Sequence, residues 1–196
     1  MQKKLYIIAG CNGAGKTTAS YTILPEILEC REFVNADEIA RGLSPFQPEK
    51  VAIEAGRIML NRIDELTREG ENFAFETTLA TKSYKQRIID AQNLGYDVIL
   101  VFFWLKNVDL AHERVRKRVL EGGHNVPKDV IDRRYISGIK NLFSIYFELA
   151  DEVLIFDNSE GKHLSVAAKI SGSVVVYDDI KYEQIKTIYN EYRTKH

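Results

Sequence analysis

"IIAGCNGAGKTT", Ile7 to Thr18, places Gly10, Gly15, Lys16 and Thr17 at the spacing GxxxxGK[ST] of a phosphate-binding loop. Four fixed positions arise by chance in roughly one chain in a hundred at average amino-acid usage. The flanking sequence makes chance a weaker account. "KLYIIAG", Lys4 to Gly10, is an apolar run ending in glycine and reads as a buried strand, and Lys16 to Leu28 carries helical spacing. A strand, a glycine loop and a helix in that order are the context such a loop requires.

The loop makes the cofactor reading concrete. Gly10, Asn12, Gly13, Ala14 and Gly15 supply backbone N–H groups that converge on phosphate oxygens, where the helix N-terminus adds partial positive charge. Lys16 bridges β- and γ-phosphates, the Thr17 hydroxyl is the metal ligand, and Thr18 reaches the α-phosphate. ATP with Mg2+ is the expected pair.

Outward from the loop, strands alternate with helices. "EFVNADEI" (residues 32–39) runs from a short strand into a helix, and Pro48 to Arg68 carries one helical apolar stripe. "FAFETTL" (73–79) is a third strand, followed by a helix to about Gly95. "YDVILVFFWL" (96–105) is apolar on both faces, as a central parallel strand is. Helices follow over Val108–Leu120 and Asp129–Leu149, separated by "EGGHNVP", and then come a fifth strand, "DEVLIFDNS" (151–159), a hairpin around "SGS" and a last helix. The expectation is a single α/β domain, residues 1–196: a P-loop NTPase fold with a five-stranded parallel sheet, a helical lid over about 108–140, and a C-terminal hairpin plus helix.

The 196 residues suit one domain with a real core, and 45% hydrophobic against 28% charged residues is ordinary for a soluble globular chain. A net charge of −1 argues against wholesale nucleic-acid binding. No apolar run reaches the length of a membrane span, and two cysteines do not make a disulfide framework, so a cytoplasmic setting is expected.

Three features separate phosphoryl transfer from motor or switch work. The strand ending "FFWLKN" lacks the carboxylate that many P-loop NTPases place there for magnesium. Carboxylates instead end two other strands, Asp37 in "NADE" and Glu76 in "FETT", and ligands of open parallel sheets gather beyond those carboxyl ends. Asp37 suits a general base for an attacking hydroxyl, although it also reads as a helix cap. Asn35, Asp37, Glu76, Thr77 and Thr78 form the expected acceptor site. Arg114, Arg116, Lys117, Arg118, Lys128, Arg133 and Arg134 crowd one region. Arg118, Arg133 and Arg134 fit a catalytic role with Lys16, closing a hinged lid over transferring phosphate, while Arg116 and Lys117 read better as a solvated face. Asn158, after the fifth strand, is placed to read an adenine edge. His124 has no nearby His or Cys, so loop structure or substrate contact is expected of it, and Cys11 is read as tolerated in the loop.

"AGCNGAGKTT", "NADEIARGLSPF", "FAFETTLA", "RVRKRVLEGGHNVPKDVIDRRY" and "DNS" together resemble the zeta toxin family of P-loop kinases, in particular its short chromosomal members, from about Leu5 to Ser159. The resemblance implies phosphorylation of UDP-N-acetylglucosamine by ATP and magnesium, with an antitoxin protein as partner. It implies Lys16 and Thr17 at nucleotide and metal, Asp37 as base, Glu76 in the acceptor pocket, and lid arginines near Arg118, Arg133 and Arg134. A kinase of another small molecule or nucleic-acid end, and a nucleotide-binding regulatory module with little turnover, are the other readings that the residues leave.

Overall fold

The computed structural model describes residues 2–26, 28–123 and 125–194. The chain enters through β1 (Lys3–Ala9), whose last five residues are buried, and the glycine loop leads directly into α1 (Lys16–Glu26). β2 (Glu32–Val34) follows and passes through Asn35 into α2 (Ala36–Leu43). Asn35 stops the strand and starts the helix, because its side-chain oxygen accepts the N–H groups of Asp37 and Glu38. A short 3₁₀ turn (Pro48–Val51) leads to α3 (Ala52–Glu69), which buries Ala55, Met59, Ile63 and Leu66, one helical stripe, against the sheet. Gly70, left-handed at φ 77°, ends that helix before β3 (Phe73–Thr77).

The remaining elements are α4 (Tyr84–Asn93), β4 (Tyr96–Trp104), α5 (Val108–Leu120) and α6 (Lys128–Asn141). The helical run containing α6 widens into one π turn (Leu142–Tyr146) before α7 (Phe147–Leu149). β5 (Glu152–Asp157), β6 (Leu164–Ile170), β7 (Ser173–Val176) and α8 (Asp179–Tyr192) complete the chain. Among the described residues, no helix is long and apolar enough to cross a membrane.

The sheet runs in the order β2-β3-β1-β4-β5-β6-β7. The first five strands in that order pair in parallel, with β1 flanked by β3 and β4, so their carboxyl ends (Val34, Thr77, Ala9, Trp104 and Asp157) share one edge. β1 is the switch point, because the chain continues to one side through β3 and to the other through β4, and the crevice beyond its carboxyl end holds the glycine loop.

One expectation needs correction. The C-terminal hairpin is not an appendage to a five-stranded sheet: β6 pairs antiparallel with β5 and β7 with β6, making seven strands. Ala167 and Ala168 of β6 are buried, so the short hairpin hides enough apolar surface on α8 and the sheet to extend it. The second helix of the expected lid is packed into the core along one face. Ile131, Tyr135, Ile139, Leu142 and Tyr146 are buried, and the Tyr135 hydroxyl donates to the Leu105 carbonyl at 2.8 Å, fixing α6 to the end of β4.

Candidate active site

The glycine loop is shaped by close approaches that only glycine permits. Gly10 has φ 141°, and a Cβ there would fall 2.3 Å from the Phe103 carbonyl oxygen. Gly15 has φ 83°, and its Cβ would fall 2.4 Å from Asn158 Nδ2. The loop is thereby pressed against the ends of β4 and β5, and within it the Ala14 N–H donates to the Cys11 carbonyl at 3.2 Å.

Beyond the loop lies a cavity of about 630 Å³. Asn12, Gly13, Gly15, Lys16, Thr17 and Thr18 line it from below, and Asn35, Asp37, Glu76, Thr77 and Thr78 from the β2 and β3 side. Arg118, Arg133 and Arg134 line it from α5 and α6. Five cations there, counting Arg114, face three carboxylates, Asp37, Glu76 and Glu121. That surplus of positive charge suits a polyphosphate.

At the floor, Lys16 is 6% exposed; its Nζ donates to the Cys11 carbonyl at 2.9 Å and stands 3.5 Å from Glu76 Oε1. Thr17 Oγ1 donates to Glu76 Oε2 at 2.7 Å, and Asn35 Nδ2 donates to the same oxygen at 3.0 Å. A carboxylate buried this far would be costly without partners, and it has three. Glu76, expected to orient an acceptor, is thus turned to the residue that would meet the metal.

Asp37 stands at the first turn of α2, and its amide is held by Asn35 Oδ1 at 2.8 Å. Its own carboxylate is therefore not the cap, since Asn35 fills that role. Arg134 NH1 donates to Asn12 Oδ1 at 3.1 Å, tying α6 to the glycine loop. Burial lowers the Arg134 guanidinium from its ordinary range; Asp37 opposes that shift and Arg133 adds to it, so the three charges share one corner. Arg118 follows the same wall, where Gly123 turns back: a Cβ there would fall 2.5 Å from Arg118 Cγ.

Asn158 lies elsewhere. It is 5% exposed beneath the loop, outside the cavity lining, with Nδ2 donating to the Ala14 carbonyl at 2.8 Å. Gly10 and Ala14 likewise support the loop from behind. Cys11 is buried, and burial pushes its thiol up to about 11 despite Lys16 and Arg114 nearby. His124 falls outside the described residues.

The structure adds Arg114, Thr81, Tyr84 and Met59 to the lining. Arg114 donates to Asn158 O at 2.8 Å, to Ser159 O at 2.9 Å and to Gly13 O at 3.4 Å, joining the turn after β5 to the glycine loop. The sequence carried a signal for it, the four-residue spacing to Arg118 on one helix face. Tyr84 stacks on Phe75 at 4.9 Å, and burial pushes its phenol up, offset in part by a hydrogen bond with Thr77. No local sequence signal marks Tyr84, and Met59 reads in the sequence only as part of the apolar stripe of α3.

A phosphate-binding loop at the switch point of a parallel sheet, with carboxylates and arginines converging on the space above it, defines the P-loop kinase fold class. Within that class the sequence matches the Zeta toxin family over residues 1–178, and the chain belongs to that family. An uncharacterized protein of Haemophilus influenzae is 29% identical over 135 residues, 69% of this chain and 94% of that one. A chain of the AvrRxo1-ORF1:AvrRxo1-ORF2 complex determined with sulphate ions superposes at a TM-score of 0.76 with 20% identity, covering 94% of this chain. The present chain spans 63% of that one's length. The same complex determined with ATP gives 0.74 at 19% identity, over 94% of this chain and 63% of that one. A chain of the PezAT chromosomal toxin-antitoxin system of Streptococcus pneumoniae gives 0.67 at 16% identity, over 99% of this chain and 88% of that one. At these identities the structural likenesses establish the fold.

Proposed function

We propose that the protein is an ATP-dependent phosphotransferase that moves the γ-phosphoryl group onto a hydroxyl of a small molecule, a nucleotide-sugar such as UDP-N-acetylglucosamine being the acceptor class favoured by the family resemblance. The observation that carries the proposal is Asp37. This carboxylate is not consumed in capping its helix, and it opens into the same cavity as Lys16, Arg133 and Arg134. A module that only senses nucleotide has no use for a base at that place.

The residues divide the work by position. The backbone N–H groups of Gly13 and of residues 15–18, with the Lys16 ammonium, bind the phosphates. Arg118, Arg133 and Arg134 stabilise charge that spreads over the transferring group. Asp37 accepts the proton of the attacking hydroxyl, and Thr77 and Thr78, with Asn35, orient the acceptor. The Thr17 hydroxyl and Glu76 carboxylate are hard oxygen donors in contact with each other, so the donor set fits magnesium, with Asn35 steadying Glu76. When bound there, magnesium would neutralise part of the triphosphate charge.

The setting we propose is cytoplasmic, where ATP and nucleotide-sugars are available. We extend the proposal to an antitoxin partner, which the likeness to a toxin-antitoxin chain supports. The test is incubation with γ-labelled ATP and magnesium, with and without UDP-N-acetylglucosamine, beside a panel of other nucleotide-sugars, small hydroxylated metabolites and oligonucleotide ends. Label on an acceptor bears the reading out. Nucleotide binding with no acceptor-stimulated turnover across the panel overturns it in favour of a binding module.

A further inference from the structure

Leu79 is a fully buried leucine at φ 59°, in the left-handed region that such side chains rarely enter. A residue keeps such a backbone conformation only when its surroundings over-determine it, and such positions gather at functional sites. Leu79 lies in the turn after β3 whose neighbours Thr77, Thr78 and Thr81 line the cavity. Its own N–H is accepted by Thr77 Oγ1 at 3.0 Å.

What holds this turn from outside is one helical run, residues 128–149. Asn141, 4% exposed, donates from Nδ2 to the Leu79 carbonyl at 2.8 Å. The Tyr146 hydroxyl donates to the Thr81 carbonyl at 2.8 Å. Gly138 presses on the Thr78 carbonyl so closely that a Cβ would fall 2.7 Å from its oxygen. Asn141 and Tyr146 are five apart, a spacing that an α-helix turns to different sides. The π turn over Leu142–Tyr146 bonds residues five apart, which brings both onto the face that meets the turn. The same run carries Arg133 and Arg134 at its other end, with Arg134 bonded to Asn12 of the glycine loop.

We propose that Asn141, assisted by Tyr146, is a positioning residue for the phosphoryl acceptor. Acting through the Leu79 and Thr81 carbonyls, the pair fixes the threonine hydroxyls at the acceptor end of the cavity relative to Asp37, and α6 transmits the same placement to the arginines. The inference rests on the phosphotransferase reading above. It assigns to residues outside the cavity an effect on acceptor affinity that leaves nucleotide affinity alone.

The test compares the full chain with Asn141→Leu and Tyr146→Phe, using UDP-N-acetylglucosamine as acceptor probe and measuring ATP affinity separately. Amide hydrogen exchange is followed over residues 78–82 and over the glycine loop. Asn141→Leu is expected to raise the acceptor KM about tenfold and Tyr146→Phe about threefold, with ATP affinity unchanged within about twofold. Faster exchange is expected at residues 78–82 and not at residues 10–18. Unchanged acceptor KM and exchange overturn the proposal, as does a parallel loss of ATP and acceptor binding with a lowered Tm. If Asn141→Leu does not fold, Tyr146→Phe, which removes one hydroxyl, decides the matter. If the wild-type protein transfers nothing to the probe, the acceptor reading fails on that observation, and exchange at residues 78–82 in the two variants still decides whether the pair positions the turn.

Discussion

The Thr17 hydroxyl donates to Glu76 Oε2 at 2.7 Å although the two residues are 59 positions apart. β1 and β3 are hydrogen-bonded neighbours in the sheet, with Ala9 opposite Thr77, so the helix that leaves the glycine loop starts beside the end of β3. The end of β4 runs from Trp104 into Leu105 and Lys106, and the Asp157 carboxylate at the end of β5 is taken by Ser159 and by Lys181 at 3.1 Å. Glu76 is therefore the carboxylate that meets the phosphate-binding helix.

Glu76→Gln is predicted to separate nucleotide binding from its metal dependence. Removing one negative charge beside Lys16 lets a metal-free triphosphate bind as well as before or better, because like-charge repulsion falls. The gain in affinity on adding magnesium should shrink by about tenfold, a loss of roughly 1.4 kcal/mol. Titrations of ATP with and without magnesium check this. An undiminished magnesium effect would assign Glu76 wholly to the acceptor.

Asp37→Asn is predicted to keep ATP affinity and to lower transfer by about 10²-fold or more, the lower part of the range for a general base. Arg134→Ala is predicted to cost roughly 10³-fold, as arginines at transferring phosphates do. Because burial and Arg133 both disfavour the Arg134 charge while Asp37 favours it, the two substitutions should not add. Single-turnover rates of the two variants and their combination measure that coupling. Full additivity would place the two side chains in separate roles.

Much of this was legible in the sequence because the signals were local. A glycine loop between an apolar strand and a helix fixes the fold class, and the polar residues at the ends of "FVN" and "FAFET" fall at the carboxyl edge that any open parallel sheet shares. Partner choice within the site was not legible. Whether Glu76 faces acceptor or metal depends on β3 lying beside β1, a non-local fact. The left-handed Leu79 and the π turn leave no mark in periodicity, since both are imposed by packing between residues some sixty positions apart. The sheet extension by β6 and β7 was missed because a hairpin pattern says nothing about where its outer edge pairs. The depth to which α6 is buried, along Ile131, Tyr135 and Ile139, was likewise not legible from the break "EGGHNVP" that precedes it.

Asn158→Ala is predicted to weaken binding of ATP and GTP by similar factors. Its amide latches the glycine loop through the Ala14 carbonyl, and truncation leaves that carbonyl without its partner, a cost of about 1–3 kcal/mol in loop geometry and stability. Paired titrations of the two nucleotides decide between a latch and a reader of the base. A loss confined to ATP would return Asn158 to the adenine edge.

Cys11 is predicted to be chemically silent in spite of its place among phosphate-binding groups. Burial pushes its thiol, and that of Cys30, up to about 11, and for Cys11 the lowering influence of Lys16 and Arg114 is smaller than the burial. A raised pKa keeps the thiol protonated below that value, so at pH 8 the thiolate fraction is about 10⁻³, and the thiolate is the species that reacts. Iodoacetamide at pH 8 should label neither cysteine in the folded protein and both after unfolding, with native labelling appearing only as pH rises toward 11. ATP with magnesium should leave this pattern unchanged, because Cys11 is already buried in the nucleotide-free protein. Labelling of native Cys11 with a midpoint below about pH 8.5 would instead show the thiolate stabilised by Lys16, and the loop would then be redox-sensitive.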